Sequence, residues 1–86
     1  MTHKYKQVDI DVNLAWNGCW HVATEVYVAD DPVREGDVAE FADFPAALAH
    51  ADERVQTWRQ SGLAQAVTLL VEGNEVQAPT GDKERP

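Results

Sequence analysis

The sequence predicts an α+β fold: a two-layer sandwich in which one helix covers one face of an antiparallel sheet, in β-β-β-α-β order with room for a short final strand. Two period-two runs flank an Asn-Gly turn signal in "LAWNGCWHV". A single apolar stripe at helical spacing follows, and a β-rich run comes after it.

In residues 8–16 the apolar side chains fall on even positions, Val8, Ile10, Val12, Leu14 and Trp16, with Asp9, Asp11 and Asn13 between them. That alternation is the signature of a half-buried strand. Trp20, Val22, Thr24, Val26 and Val28 continue the even face, while Cys19, His21, Ala23, Glu25 and Tyr27 take the other.

The parity selects the turn, because directly opposed residues of an antiparallel pair share a face. A two-residue Asn17-Gly18 loop would oppose Leu14 to His21 and mix core with solvent. A three-residue loop of Trp16, Asn17 and Gly18 puts Gly18 at the left-handed position of a type I turn plus bulge and pairs Ala15 with Cys19. Leu14 then meets Trp20, Val12 meets Val22, Ile10 meets Thr24 and Val8 meets Val26.

Residues 30–37, "DDPVREGD", read as a loop, followed by a short strand at 38–41. Asp43 is positioned to cap the next helix, and Pro45 is tolerated in its first turn. Phe44, Leu48, Ala51, Val55 and Trp58 form one stripe, and Ser61 and Gly62 end the helix. "AVTLLVEGNEVQA" then reads as a buried strand and a short return broken at Gly73-Asn74. Trp20 and Trp58 are expected in the core. Residues 1–78 make one domain, and 79–86, without an apolar anchor, are expected to form a disordered tail.

Fifteen acidic residues against seven basic ones give a net charge of −8, which repels a phosphate backbone, so direct nucleic-acid binding is not expected. A basic protein is the complementary partner. The lone Cys19 cannot form an intramolecular disulfide, the first residues lack a signal peptide's apolar segment, and no run approaches the roughly 20 apolar residues of a membrane span. A cytoplasmic protein without membrane attachment is the expectation.

The hairpin's odd face opposes Asn13 to His21, Asp11 to Ala23, Asp9 to Glu25 and Gln7 to Tyr27. Two carboxylates therefore face each other, which is unfavourable unless a cation or a basic partner offsets them. The candidate partner-binding residues are Asp9, Asp11, His21 and Glu25 here, with Asp30, Asp31, Glu35 and Asp37 from the acidic run that follows. A metal site from Asp9, Asp11, Glu25 and His21 has suitable oxygen donors but little enclosure on an open sheet. Cys19 and His21, two residues apart on this face, lack an orienting third group and oxyanion donors. His50 lies off the helix's apolar stripe and reads as a surface residue. There is no Gly-rich phosphate loop, paired-cysteine motif, HExxH or Ser-centred elbow. No catalytic residue, metal or cofactor is assigned.

The strand order together with "FADFPAALAHADERVQTW", a Phe-led cap, an Ala-Leu step and a Trp-ended helix, resembles the HicB-type antitoxin domains, over residues 5–60. It looks equally similar to small bacterial α+β proteins of the same short-sandwich type. In the antitoxin family a small sheet and helix neutralise a basic toxin ribonuclease. The Pro-Gly-rich segment expected between that family's sheet and helix is missing here, as is a DNA-binding extension, and no binding residue carries over. The expected function is thus a non-enzymatic protein-interaction module, in homodimeric form if a sheet edge or face stays uncovered. Its more specific form is an antitoxin-like or nucleic-acid-mimicking inhibitor of a basic protein. The competing reading is a metal-binding protein or small enzyme using the outer sheet face.

Overall fold

The computed structural model describes residues 3–76; the expected tail at 79–86 lies outside the described residues. Strands β1 (Gln7–Leu14) and β2 (Trp20–Tyr27) pair antiparallel in the register set by the parity of their apolar residues, from Gln7 opposite Tyr27 to Leu14 opposite Trp20. Gly18 sits at φ 86°, and its N–H donates to the Ala15 carbonyl at 3.0 Å. The Ala15 N–H donates in turn to the Cys19 carbonyl at 2.8 Å, closing the three-residue loop. A Cβ at Gly18 would meet no neighbouring atom, so the constraint there is the left-handed backbone itself.

The sheet is mixed, which corrects the antiparallel-only expectation. Its order is β3-β2-β1-β5-β6, and β5 (Val67–Val71) runs parallel to β1, with Val8 beside Val67 and Val12 beside Val71. Period-two alternation assigns faces to a strand but carries no direction. Direction comes from the helix, which crosses over the sheet and delivers β5 to the free edge of β1, the kind of connection a parallel pair requires. The Tyr5–Ala64 bridge extends the pairing, and the His3 imidazole donates to the Gly62 carbonyl (Nδ1···O 3.1 Å), tying residues before β1 to the end of the helix.

The expected loop at 30–37 contains a strand of its own, β3 (Pro32–Arg34), so two short strands lie along the outer edge of β2 where one was expected. β3 takes the C-terminal half of that edge and β4 (Ala39–Phe41) the N-terminal half. Pro32 suits this place, because an edge strand tolerates a missing N–H at its first residue. Beyond β5, β6 (Asn74–Val76) returns antiparallel. The turn is Glu72-Gly73, one residue earlier than expected, with both residues at positive φ, 52° and 82°, as a type I′ hairpin needs.

Helix α1 (Phe44–Ser61) starts where the Asp43 carboxylate accepts from the Ala46 N–H at 2.9 Å and ends at Gly62, φ 71°. Its buried line is Ala47, Ala51, Val55 and Trp58, with Phe44 and Leu48 packed on the rim. The two alanines let the helix approach the sheet closely over Val8, Ile10 and Val12, which are fully buried. Burying side chains of this size contributes about 1.5–3 kcal/mol each. Trp58 is core as expected, its ring edge-on to Tyr5 at 5.6 Å. Trp20, also expected in the core, is only half-buried, its ring tilted against Phe44 at the rim with centroids 4.7 Å apart. Toward the hairpin tip burial stops: Leu14 is 51% exposed and Trp16 97%.

Candidate functional site

With α1 on the even face, the odd face of the hairpin is left without a covering layer. Across it, in register, stand Arg34 of β3, Glu25 of β2, Asp9 of β1 and Thr68 of β5. One step along, Ala23, Asp11 and Leu70 are aligned. Asp9, Asp11 and Glu25 are each half-buried, flanked by the neighbouring strands.

Neutral partners support Asp9 from one side. The Gln7 amide donates to Asp9 Oδ1 and to Thr68 Oγ1, each at 2.8 Å, so β1 and β5 are joined through one side chain. Asp11 has less help. Partial burial, followed by the charges of Glu25 and Asp9, pushes its carboxyl up to about 6, with Arg34 acting weakly in the opposite direction. Tyr27 feels the same field: burial and then the Asp9 and Glu25 charges raise its phenol above its ordinary value. Among the described residues the one contact of a basic side chain with a carboxylate, His21 with Glu40 at 3.7 Å, lies elsewhere on the sheet, so these three carboxylates have no cation at contact distance.

His21 belongs instead to a polar group at the hairpin end. The Asn17 amide donates to Glu40 Oε2 at 2.9 Å, and Asn17 Oδ1 accepts from the Cys19 N–H at 3.0 Å. Hydrogen bonding from Asn17 and Cys19 holds the Glu40 carboxyl below its usual range. The hydrogen bond to Glu40, with burial and the Glu40 charge, raises the Cys19 thiol. A carboxylate facing the thiol disfavours the thiolate, which is the reverse of what a nucleophilic cysteine needs.

The eight candidate partner-binding residues therefore divide. Asp9, Asp11 and Glu25 are gathered, and His21 shares their face but pairs with Glu40. Asp30, Asp31, Glu35 and Asp37 are exposed in the connections around β3. Glu35 and Asp37 line a cavity with Val22 and Thr24, whose side chains point to the helix side of the sheet, so they do not extend the carboxylate face. Among the described residues no group of three or more His, Cys, Asp or Glu side chains is arranged to hold a metal ion. No described helix is long and apolar enough to cross a membrane.

Sequence reasoning missed the contributions of Arg34, Glu40 and Thr68. Each reaches its neighbour through β3, β4 or parallel β5, whose placement beside the hairpin is tertiary. No protein-family model matches the chain, and no curated protein or solved structure matches it either.

Proposed function

We propose that this protein is a non-enzymatic interaction module that presents the Asp9, Asp11 and Glu25 face to a basic protein partner. The observation that carries the reading is the opposition of Asp9 and Glu25 across the β1–β2 pair, with Asp11 beside them and no cation in contact. Like charges so placed repel, and Lys or Arg side chains of a partner relieve that repulsion while docking on a flat, half-buried surface. The narrower form of the proposal is an inhibitor, antitoxin-like or mimicking the charge of a nucleic acid, whose target is a basic protein. The same proposal locates it in the cytoplasm, where the lone Cys19 needs no disulfide partner.

The test is co-purification of the tagged protein from its native cells at low and high salt, side by side with a D9K/D11K/E25K variant. The expected result is a basic protein retained by the wild type, released by salt and lost with the variant. Retention of the same protein by both, to the same extent, excludes the acidic face as the contact. A D9N/D11N/E25Q variant, checked for folding by circular dichroism, separates loss of charge from loss of structure.

A further inference from the structure

On the other side of the sheet, where the chain passes from β3 to β4, a cavity of about 330 Å³ opens between that connection and the flank of α1. Its deepest polar residue is Thr24, 5% exposed, which lines the cavity and whose hydroxyl has no hydrogen-bond partner among the described residues. A buried hydroxyl left unpaired is unfavourable, so this one is suited to a ligand or water in the cavity.

The walls carry opposite charges. Glu35 and Asp37 come from the β3–β4 connection, bent at Gly36 with φ 76°. Arg54 supplies the positive charge from α1 on the other side, with the His50 imidazole one helical turn before it. The His50 ring is braced on Phe41 at 5.1 Å between centroids. Neither carboxylate forms an ion pair with Arg54. Two walls of opposite sign thus stand apart with space between them.

We infer that this cavity is a binding site for a small zwitterion, of the size and charge of a free α-amino acid with a short side chain. The ligand's ammonium group would lie toward Glu35 and Asp37, and its carboxylate toward Arg54 and His50, since a guanidinium's paired N–H donors match a carboxylate. A purely anionic ligand would meet two carboxylates, and a purely cationic one would meet Arg54. Thr24 provides the hydroxyl at the floor, and Val22, Val38 and Ala39 offer apolar contact to a short aliphatic side chain. The volume stands at the lower end of ligand pockets, which run from about 300 to 1,000 Å³, and so favours an amino acid over a nucleotide. The site uses none of the three carboxylates of the uncovered face and does not depend on the interaction reading.

The test is a titration of the ¹⁵N-labelled full chain with glycine, L-alanine, L-serine and L-valine, read by backbone amide shifts. Propionate and isobutylamine, each carrying one of the two charges, serve as controls. Expected are saturable shifts at Thr24, Gly36, His50 and Arg54 with at least one amino acid, and affinity at least about tenfold weaker, roughly 1.4 kcal/mol, for both controls. Arg54→Ala and the pair E35Q/D37N should each weaken that binding by about tenfold or more while the remaining spectrum stays dispersed. The D9N/D11N/E25Q variant should bind the amino acid as the wild type does. The inference is overturned if none of the four amino acids gives saturable shifts at these residues. It is also overturned if isobutylamine binds as tightly as the amino acids, which would make the cavity a socket for a basic side chain.

Discussion

Asp9 and Glu25 stand directly opposite each other on adjacent strands, on the face of the sheet that the helix does not cover. Their consequence is felt one pair further along, at Asp11, whose carboxyl is raised to about 6 by partial burial first and then by the charges of Glu25 and Asp9. A single charged relationship thus links the hairpin register to the stability of the fold and to the surface offered to a partner.

The first prediction concerns pH. The Asp11 carboxyl is raised from 3.8 to about 6, so the folded protein holds this proton more tightly than the unfolded chain does. Its contribution to stability is full below the unfolded value and is lost as pH rises through the folded one. Asp11→Asn should therefore stabilise the protein at about pH 7, by on the order of 1 kcal/mol once solvent screening of this partly exposed group is allowed for. That gain should raise Tm by roughly 4–8 °C and fade as the pH is lowered to about 4. Thermal melts of both proteins across that range check it; a constant gap at every pH would mean that charge is not the cause.

The hairpin tip separates backbone from side chain. Gly18→Ala should cost about 1 kcal/mol, because φ 86° is strained for any residue with a Cβ, although nothing crowds the position. Trp16→Ala, two residues earlier and 97% exposed, should change stability by no more than about 0.5 kcal/mol. Urea titrations of the two variants distinguish the effects, and a large loss at Trp16 would contradict the loop assignment.

The core is thin, so single deletions in it should be severe. Ile10→Ala removes a fully buried side chain beneath the helix and should cost about 2–5 kcal/mol. Against the roughly 4–13 kcal/mol expected for a chain of this length, that loss leaves a protein close to unfolding. Asp43→Ala, which removes the helix cap at 2.9 Å from the Ala46 N–H, should cost only about 1 kcal/mol. Equilibrium denaturation should rank the two clearly.

Much of this was legible in the residues, and where it was not the reason is physical. The hairpin register followed from parity, because a shift of one residue would have exposed Val8, Ile10 and Val12 together. The opposition of Asp9 and Glu25 came with that register. The direction of β5 did not, since Val67, Leu69 and Val71 alternate identically whether the strand runs parallel or antiparallel to β1. β3 was hidden by Pro32 and the surrounding charges, which suit an exposed edge as well as a loop. His50 and Arg54 share a helix face at a spacing of four, but only the fold brings that face to Glu35 and Asp37.

The central claim is that the Asp9, Asp11 and Glu25 carboxylates form the contact with a basic partner. It is tested most directly by the affinity of the captured partner for the wild type and for D9N/D11N/E25Q, measured across a range of salt concentrations. The neutral variant should bind more weakly at low salt and lose affinity less steeply as salt is added, since fewer charges remain to be screened. Two curves of equal affinity and equal slope would contradict the account and move the contact away from this face.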